Sequence, residues 1–296
     1  MSILLDASAR VLIVGITGKF GTFSVKDLAQ SDTKVVAGIA FGRDGQAIDN
    51  VPVFSSVGKA IAETGANAAL IYVPAAGALD AVLETIEAGC PLIAYPGDGL
   101  PVLDAMEMRT SALRAGAHLV GPNSPGLISP GKAKLGFMPS FCYAPGPIAV
   151  ISRSGSLSYE ACFRLSSAGL GQTSVIGIGG DPVRGVNAAE AIALFHDDPQ
   201  TRAIVYLGEI GGSEEYALAD YAQRPDAKPS AALLVGRTAP AGKKMGHAAA
   251  MIGSYAESWA AKIDALDRAG VVIARDLDGL AGAAASALSR AMESAA

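Results

Sequence analysis

The chain has 296 residues, half of them apolar and 17% charged, with a net charge of −5. Such a length suggests about two domains, each able to bury a sizeable core. The mildly acidic balance, with no basic stripe, argues against a nucleic-acid binder. Apolar, β-branched runs alternate with amphipathic or Ala-rich segments along the whole chain, the pattern of a parallel sheet covered on both faces. In the first half, strands are predicted near Val11–Val14, Lys34–Ala37, Ala68–Val73, Leu92–Tyr95 and His118–Val120, with helices near Thr22–Ser31, Ser56–Thr64, Ala75–Ala88 and Val102–Ala115. In the second half, strands are predicted near Ile148–Ile151, Thr173–Ile176, Ala203–Leu207, Ala231–Val235 and Val271–Ile273. Helices are predicted near Ser156–Ser167, Asn187–His196, Glu214–Arg224, Glu257–Ala269 and Leu277–Met292. The stretch Pro130–Pro147 is rich in Pro and Gly and has no period, which puts a domain boundary near Gly146 and divides the chain into 1–146 and 147–296.

The first predicted strand empties into Gly15-Ile-Thr17-Gly18-Lys19-Phe20-Gly21. Glycines there let a backbone approach a diphosphate seated at the next helix N-terminus. The spacing is G-x-x-G-x-x-G rather than the dinucleotide fingerprint, and a tight structural turn is the alternative. A dinucleotide site also wants an acid about 20 residues on, for the ribose hydroxyls. This chain has Ala40-Phe41-Gly42-Arg43-Asp44, where a cation suits a ribose phosphate as in coenzyme A or NADP, unless Arg43 is only a solvated loop charge. The turns Val73-Pro74-Ala75 and Tyr95-Pro96-Gly97-Asp98-Gly99 follow later strands and face the same crevice in a doubly wound sheet. Gly121-Pro-Asn123-Ser124-Pro125-Gly126 is stiffer and more distinctive.

The second half opens with Ile151-Ser-Arg-Ser154-Gly155-Ser156-Leu-Ser-Tyr159. Small residues at a helix start offer an anion site through free N–H groups and the helix dipole, although ordinary Ser N-capping explains the same residues. Farther on, Ala231–Val235 leads into a loop with Lys243, Lys244 and then Gly246-His247-Ala248. Neutral imidazole is a good nucleophile, and nearby ammonium groups favour an incoming polyphosphate. The reading is that His247 is phosphorylated and passes the phosphoryl group on; the alternative is a solvated loop histidine. Glu209, beside glycines at a strand's carboxyl end, is a candidate to fix the His247 tautomer, or else a turn acid. His118 reads as a core or edge histidine and His196 as a helix C-terminal cation.

Other chemistries are disfavoured. Neither Gly236–Lys244 nor Gly15–Gly21 has the G-x-x-x-x-G-K-[ST] spacing of a nucleotide triphosphatase loop, and no G-x-S-x-G elbow occurs. Cys90, Cys142 and Cys162 are widely spaced without CxxC. They read as buried apolar residues in a reducing compartment, and with three scattered histidines no metal site is expected. Asp6 and Arg10 interrupt the apolar N-terminal stretch, so it does not read as a signal peptide. No run approaches the ~18 apolar residues of a membrane span, and the expectation is a soluble, cytoplasmic protein.

The blocks MSILLD, GITGKFGTF, GPNSPG, ISRSGSLSYEA, SVIGIGGDP, GEIGGS and TAPAGKKMGHAAA, in this order, resemble the α subunit of succinyl-CoA synthetase over nearly the whole chain. The resemblance implies an α/β protein with an N-terminal Rossmann-like CoA-binding domain and a C-terminal flavodoxin-like ligase domain. It implies an acid–thiol ligase that joins a small dicarboxylate to CoA through a phosphohistidine and an acyl phosphate. It further implies a β subunit whose ATP-grasp domain holds ATP or GTP and Mg2+. By the same resemblance, His247 corresponds to the phosphorylated residue and Glu209 to its acidic partner. Ser154, Gly155 and Ser156 correspond to the phosphate seat. Thr17, Gly18, Lys19, Phe20, Arg43, Val73, Pro74, Pro96, Gly97 and Asp98 correspond to CoA contacts, and Tyr159, Asn123, Ser124 and Pro125 to residues near the acid. Departures stand at Ser124, where relatives carry Cys, at Arg43 for Lys, in the 95–99 turn, and at Tyr255 and Trp259 in a loop that is usually glycine-rich. Malate or another substituted acid is therefore an alternative substrate. A non-catalytic CoA-binding regulator is a rival of another class, which retention of His247, Glu209 and the Ser-Gly-Ser start argues against. An NADP dehydrogenase lacks an acid–base residue beside the first crevice.

Overall fold

The structure is a computed structural model that describes residues 3–293, so the first two positions of the MSILLD block lie outside the described residues. The chain forms two compact units, Leu4–Met138 with Val183–Val186, and Pro139–Pro182 with the chain from Asn187 onward.

In the first unit the strands are β1 (Arg10–Val14), β2 (Lys34–Ile39), β3 (Ala47–Ile48), β4 (Val51–Phe54), β5 (Ala68–Ile71), β6 (Leu92–Ala94) and β7 (His118–Val120). The helices are α1 (Lys19–Ala29), α2 (Val57–Thr64), α3 (Ala75–Glu87) and α4 (Val102–Ala115). The sheet order is β3-β4-β2-β1-β5-β6-β7, and all pairs are parallel except β3 with β4. Leaving out the two-residue β3, the order is that of doubly wound nucleotide-binding sheets, which reverses between β1 and β5. Leu12, Ile13, Leu70 and Ile93 are fully buried, as parallel strands covered on both faces require.

The second unit carries β10 (Pro145–Ser152), α5 (Gly155–Ser167), β11 (Gln172–Gly177), α6 (Ala188–Asp197), β12 (Ala203–Glu209), α7 (Glu214–Ala222), β13 (Ser230–Val235), α8 (Trp259–Arg268), β14 (Val272–Ala274) and α9 (Leu280–Glu293). Its parallel strands run β14-β13-β12-β10-β11. This is the flavodoxin-like order, and it reverses between β10 and β12. The residues that leave those two strands are therefore the ones placed at a ligand crevice.

Three departures from the predicted elements bear on function. Helix α1 starts at Lys19 rather than Thr22, with Gly18 as its N-cap, so its positive end lies directly on the glycine loop. Strand β12 continues through Glu209, paired with Val235, so Glu209 ends a buried strand instead of standing in a turn. The supposedly aperiodic stretch from Pro130 contains β9 (Ala133–Gly136), which pairs antiparallel with β8 (Gly126–Ser129). What disguises β9 is Lys134, a charged residue in a four-residue strand buried throughout. Its ammonium is neutralised by Asp27 at 2.9 Å and donates to the Met138 carbonyl at 3.0 Å. A pairing of that kind is what lets a lysine be fully buried.

Candidate functional site

The glycine loop of the first unit is built for close approach. Gly15 sits at φ +80°, and a Cβ there would come within 2.7 Å of the Tyr72 carbonyl oxygen. A Cβ on Gly21 would lie 2.4 Å from the Gly15 carbonyl oxygen, so α1 packs onto its own loop. Beyond the carboxyl ends of β1, β5 and β6 lies a cleft of about 470 Å³, with Phe20, Tyr72, Val73, Pro74, Tyr95 and Phe137 among its lining residues. That volume falls within the range of small-molecule sites. Phe137 stands edge-on to Phe20 at 5.4 Å between ring centroids and 5.0 Å from Tyr72, giving one wall an aromatic cluster.

Of the residues matched to CoA contacts, Phe20, Val73, Pro74, Pro96, Gly97 and Asp98 line this cleft. Thr17, Gly18 and Lys19 form the exposed turn at the N-terminus of α1 and do not line it. Arg43 is exposed and donates to Gln46 Oε1 at 3.3 Å, also outside the lining. The Asn123 N–H donates to the Gly97 carbonyl at 2.7 Å, tying the 121–126 loop to the 96–98 turn. Ser124 is buried, and its hydroxyl accepts from the Gly126 N–H at 2.9 Å; Pro125 accepts through its carbonyl from the Phe137 N–H at 2.8 Å.

In the second unit, His247 Nδ1 lies 2.8 Å from Glu209 Oε2. Glu209 is buried and His247 is about one-third exposed. A carboxylate accepts, so Nδ1 carries the proton and the lone pair stands on Nε2. The hydrogen bond to Glu209 is the main influence raising the imidazole pKa above its ordinary value. Burial opposes it, the Glu209 charge adds to it, Arg153 works against it and Asp181 adds to it again. The face of the ring rests on Gly180, where a Cβ would lie 2.6 Å from His247 Cγ.

Behind Glu209 is a set of buried charges that the sequence reading passed over. Arg153 Nη2 stands 3.2 Å from Glu209 Oε1, an ion pair whose alignment misses a hydrogen bond. Arg153 Nη1 donates to Glu215 Oε1 at 2.9 Å, and Lys262 Nζ to Glu215 Oε2 at 2.5 Å. Burial lowers the Arg153 pKa, but the Glu215 and Glu209 charges outweigh it and the net shift is upward. In Lys262 burial dominates and the shift is downward, with Glu215 partly offsetting it. The available signal was limited to Glu215 and Lys262, which stand on the buried faces of α7 and α8; Arg153 lies between β10 and α5, where no period applies.

Arg153 immediately precedes the Ser154–Ser156 helix start. Ser154 is the N-cap of α5 and accepts from the Leu157 N–H at 3.5 Å. The expected seat and the His247–Glu209 pair thus both stand where β10 and β12 end. Tyr159, on α5, is half-buried, and burial pushes its phenol up to about 12. Of the other histidines, His196 Nδ1 lies 3.0 Å from the Tyr221 hydroxyl, and His118 begins β7. Among the described residues no group of three or more His, Cys, Asp or Glu is arranged to hold a metal ion, and no helix is long and apolar enough to cross a membrane.

A family model described as a CoA binding domain matches residues 6–95, and one described as CoA-ligase matches residues 151–272. The chain is 45% identical over 275 residues to the succinate–CoA ligase [ADP-forming] subunit α of Aquifex aeolicus, covering 92% of this chain and 90% of that protein. It is 43% identical to subunit α 2 of the same ligase from Archaeoglobus fulgidus, covering 93% of this chain and 96% of that one. Among solved structures it resembles ATP citrate lyase from Methanosaeta concilii in complex with (3S)-citryl-CoA. The TM-score is 0.87 at 22% identity over 97% of this chain, which spans only 51% of that one, and the likeness is one of fold.

Proposed function

Because this chain belongs to the family of succinate–CoA ligase α subunits, we propose that it is the α component of an NDP-forming acid–CoA ligase in which His247 carries the phosphoryl group. The observation that carries the assignment is the 2.8 Å contact between His247 Nδ1 and Glu209. It leaves Nε2 as the nucleophile and puts a carboxylate beside the charge that forms on the ring. Nε2 attacks the terminal phosphorus of a nucleoside triphosphate, the bond to the departing diphosphate breaks, and the proton stays on Nδ1 against Glu209. The phosphoryl group then passes to a carboxylate oxygen of the acid and regenerates the imidazole. The sulfur of CoA displaces phosphate from the acyl phosphate and forms the thioester. Each step is a transfer between activated species, so the protein's part is positioning and charge stabilisation.

We assign the division of labour as a CoA-binding domain over 1–146 and a ligase domain over 147–296. The cleft beside Phe20 and Phe137 takes CoA, supported by its volume and by the CoA binding domain match over residues 6–95. Thr17, Gly18, Lys19 and Arg43 receive the phosphates, in keeping with their place at the positive end of α1 and beyond β2. Ser154, Gly155 and Ser156 hold the phosphoryl group at the N-terminus of α5, and Tyr159 on the same helix stands near the acid, a small dicarboxylate such as succinate. The nucleotide, ATP or GTP with Mg2+, belongs to an ATP-grasp β subunit of a cytoplasmic heteromer. Label from [γ-32P]ATP on the purified complex tests the reading. It should be acid-labile and base-stable, should leave on addition of succinate plus CoA, and should vanish in His247→Ala. Label that survives in His247→Ala would reject it, and a panel of acids in the discharge step identifies the substrate.

A further inference from the structure

Two cations converge behind Glu209, and their acceptor sets nearly coincide. Arg153 Nη1 donates to the carbonyls of Glu209 at 3.2 Å and Gly211 at 2.8 Å. Lys262 Nζ donates to the same two carbonyls at 2.9 and 2.7 Å. Both cations also bind the Glu215 carboxylate, one on each oxygen. Arg153, Glu215 and Lys262 are buried to 1% exposure or less. Two acids and two cations therefore balance in a buried pocket, and a buried charge left without its counterpart is strongly unfavourable. Of the four, Glu209 reaches the imidazole. The turn they grip also abuts the histidine loop, since a Cβ on Gly211 would lie 2.0 Å from the Ala249 carbonyl oxygen.

We propose that Lys262 is a positioning residue for the phosphoryl-carrying imidazole: by neutralising Glu215 and gripping the 209–211 carbonyls, it leaves the Arg153 guanidinium to fix the Glu209 carboxylate against His247 Nδ1. Lys262 touches neither the imidazole nor a substrate and acts through Glu209. Without its charge, two carboxylates share one guanidinium. Arg153 is then drawn toward Glu215, the more deeply buried acid, and Glu209 loses counter-charge at Oε1, so its Oε2 holds the Nδ1 proton more strongly. The inference rests on the reading of His247 as phosphoryl carrier for its catalytic meaning, but not for its electrostatics.

Charge, rather than packing, is the property to test. The groups acting on His247 are Glu209 at the end of β12, Arg153 before α5 and Asp181 after β11. Behind them stand Glu215 on α7 and Lys262 on α8, and Lys243 and Lys244 lie on the histidine's own loop. Removing a cation from this pocket makes the imidazole hold its proton more tightly, and removing an anion does the reverse. The full-length chain with 15N-labelled histidine, titrated by NMR and with His247 assigned through His247→Gln, reads the effect directly. Lys262→Met should raise the His247 pKa by about one unit and Glu215→Gln should lower it by a similar amount, on the order expected for one buried charge nearby. The double variant Glu215→Gln/Lys262→Met restores neutrality and should return to within about 0.3 unit of wild type. Phosphorylation by ATP in the complex should fall in both single variants and recover in the double, which a packing role for Lys262 would not produce. Should Lys262→Met fail to fold, Glu215→Gln and the double variant still decide the matter by the downward shift and its reversal. Shifts of the same sign, no shift, or a double variant displaced as far as a single one would overturn the proposal. The titration needs no turnover. Opposite shifts in the two single variants, together with a wild-type complex that never takes up phosphate, would sink the phosphohistidine reading and leave the network standing.

Discussion

Gly180→Ala is the sharpest perturbation of the histidine site, because the added atom has one place to go. Its Cβ would lie 2.6 Å from His247 Cγ, 2.8 Å from Nδ1 and 3.0 Å from Cβ. Carbon atoms in ordinary contact stand about 3.5–4.0 Å apart, so the ring must retreat by roughly 1 Å. The push acts on the ring face, across the 2.8 Å bond to Glu209, so the bond lengthens only to about 3.0 Å and what it loses is alignment. Misplacement by 1 Å is enough to cost on the order of 10²-fold in rate. The backbone is not strained by the change, since Gly180 is not among the positive-φ glycines, and the bond from the Ala249 N–H to its carbonyl needs no side chain. The expected variant is folded, with a thermal midpoint close to wild type and unchanged affinity for CoA. Its rate of label uptake from [γ-32P]ATP should be about a hundredfold lower, and its His247 pKa should move back toward the ordinary value. Wild-type phosphorylation in Gly180→Ala would refute the claim that the ring acts from the position seen here.

Other perturbations separate the parts of the site. Glu209→Gln keeps the shape but removes the charge; His247 pKa should fall, and phosphorylation should slow by on the order of 10²-fold, measured by NMR titration and label uptake. Phe137→Ala removes the ring that packs on both Phe20 and Tyr72; CoA binding by calorimetry should weaken about tenfold while phosphorylation of His247 is untouched. The folded-state pKa of His247 is raised, so its contribution to stability is fully present below the unfolded value of about 6.5 and is lost as pH rises through the folded value. The difference in thermal midpoint between wild type and His247→Gln should accordingly be larger at pH 6 than at pH 9. Cys90, Cys142 and Cys162 are all buried, and burial raises each thiol pKa, that of Cys90 to about 11. A thiol reagent at neutral pH should label none of them until the protein is unfolded.

Much of this architecture was legible in the residues. Buried parallel strands are apolar runs, and runs such as Val11–Val14 and Ala231–Val235 announced β1 and β13 with little error. Helix ends were legible where a cap marks them, as at Ser154. The elements that escaped were those whose residues answer to a distant partner. Lys134 reads as a loop residue until Asp27 stands beside it, and β9 was lost with it. Glu209 reads as the candidate partner of His247 or as a turn acid, and only Arg153, 3.2 Å from its Oε1, shows how an acid can end a buried strand. The same holds for Lys262, which one helical period assigns to the core and its charge assigns to water. Pairwise neutralisation over separations of this kind leaves no local trace. The blocks around Gly15, Ser154 and His247 are continuous runs of small residues and caps that carry the resemblance, while the supporting charges are single residues far apart in the chain.

The account turns on which imidazole nitrogen carries the phosphoryl group. Nδ1 is engaged by Glu209 at 2.8 Å, so the proposed mechanism puts the phosphate on Nε2. Two-dimensional 1H–15N correlation spectra of the 15N-histidine chain, recorded at alkaline pH after phosphorylation by ATP in the complex, distinguish the two isomers directly. The expected result is a single modified histidine, His247, with its phosphate on Nε2; phosphate on Nδ1, or on another residue, would contradict the mechanism at its first step.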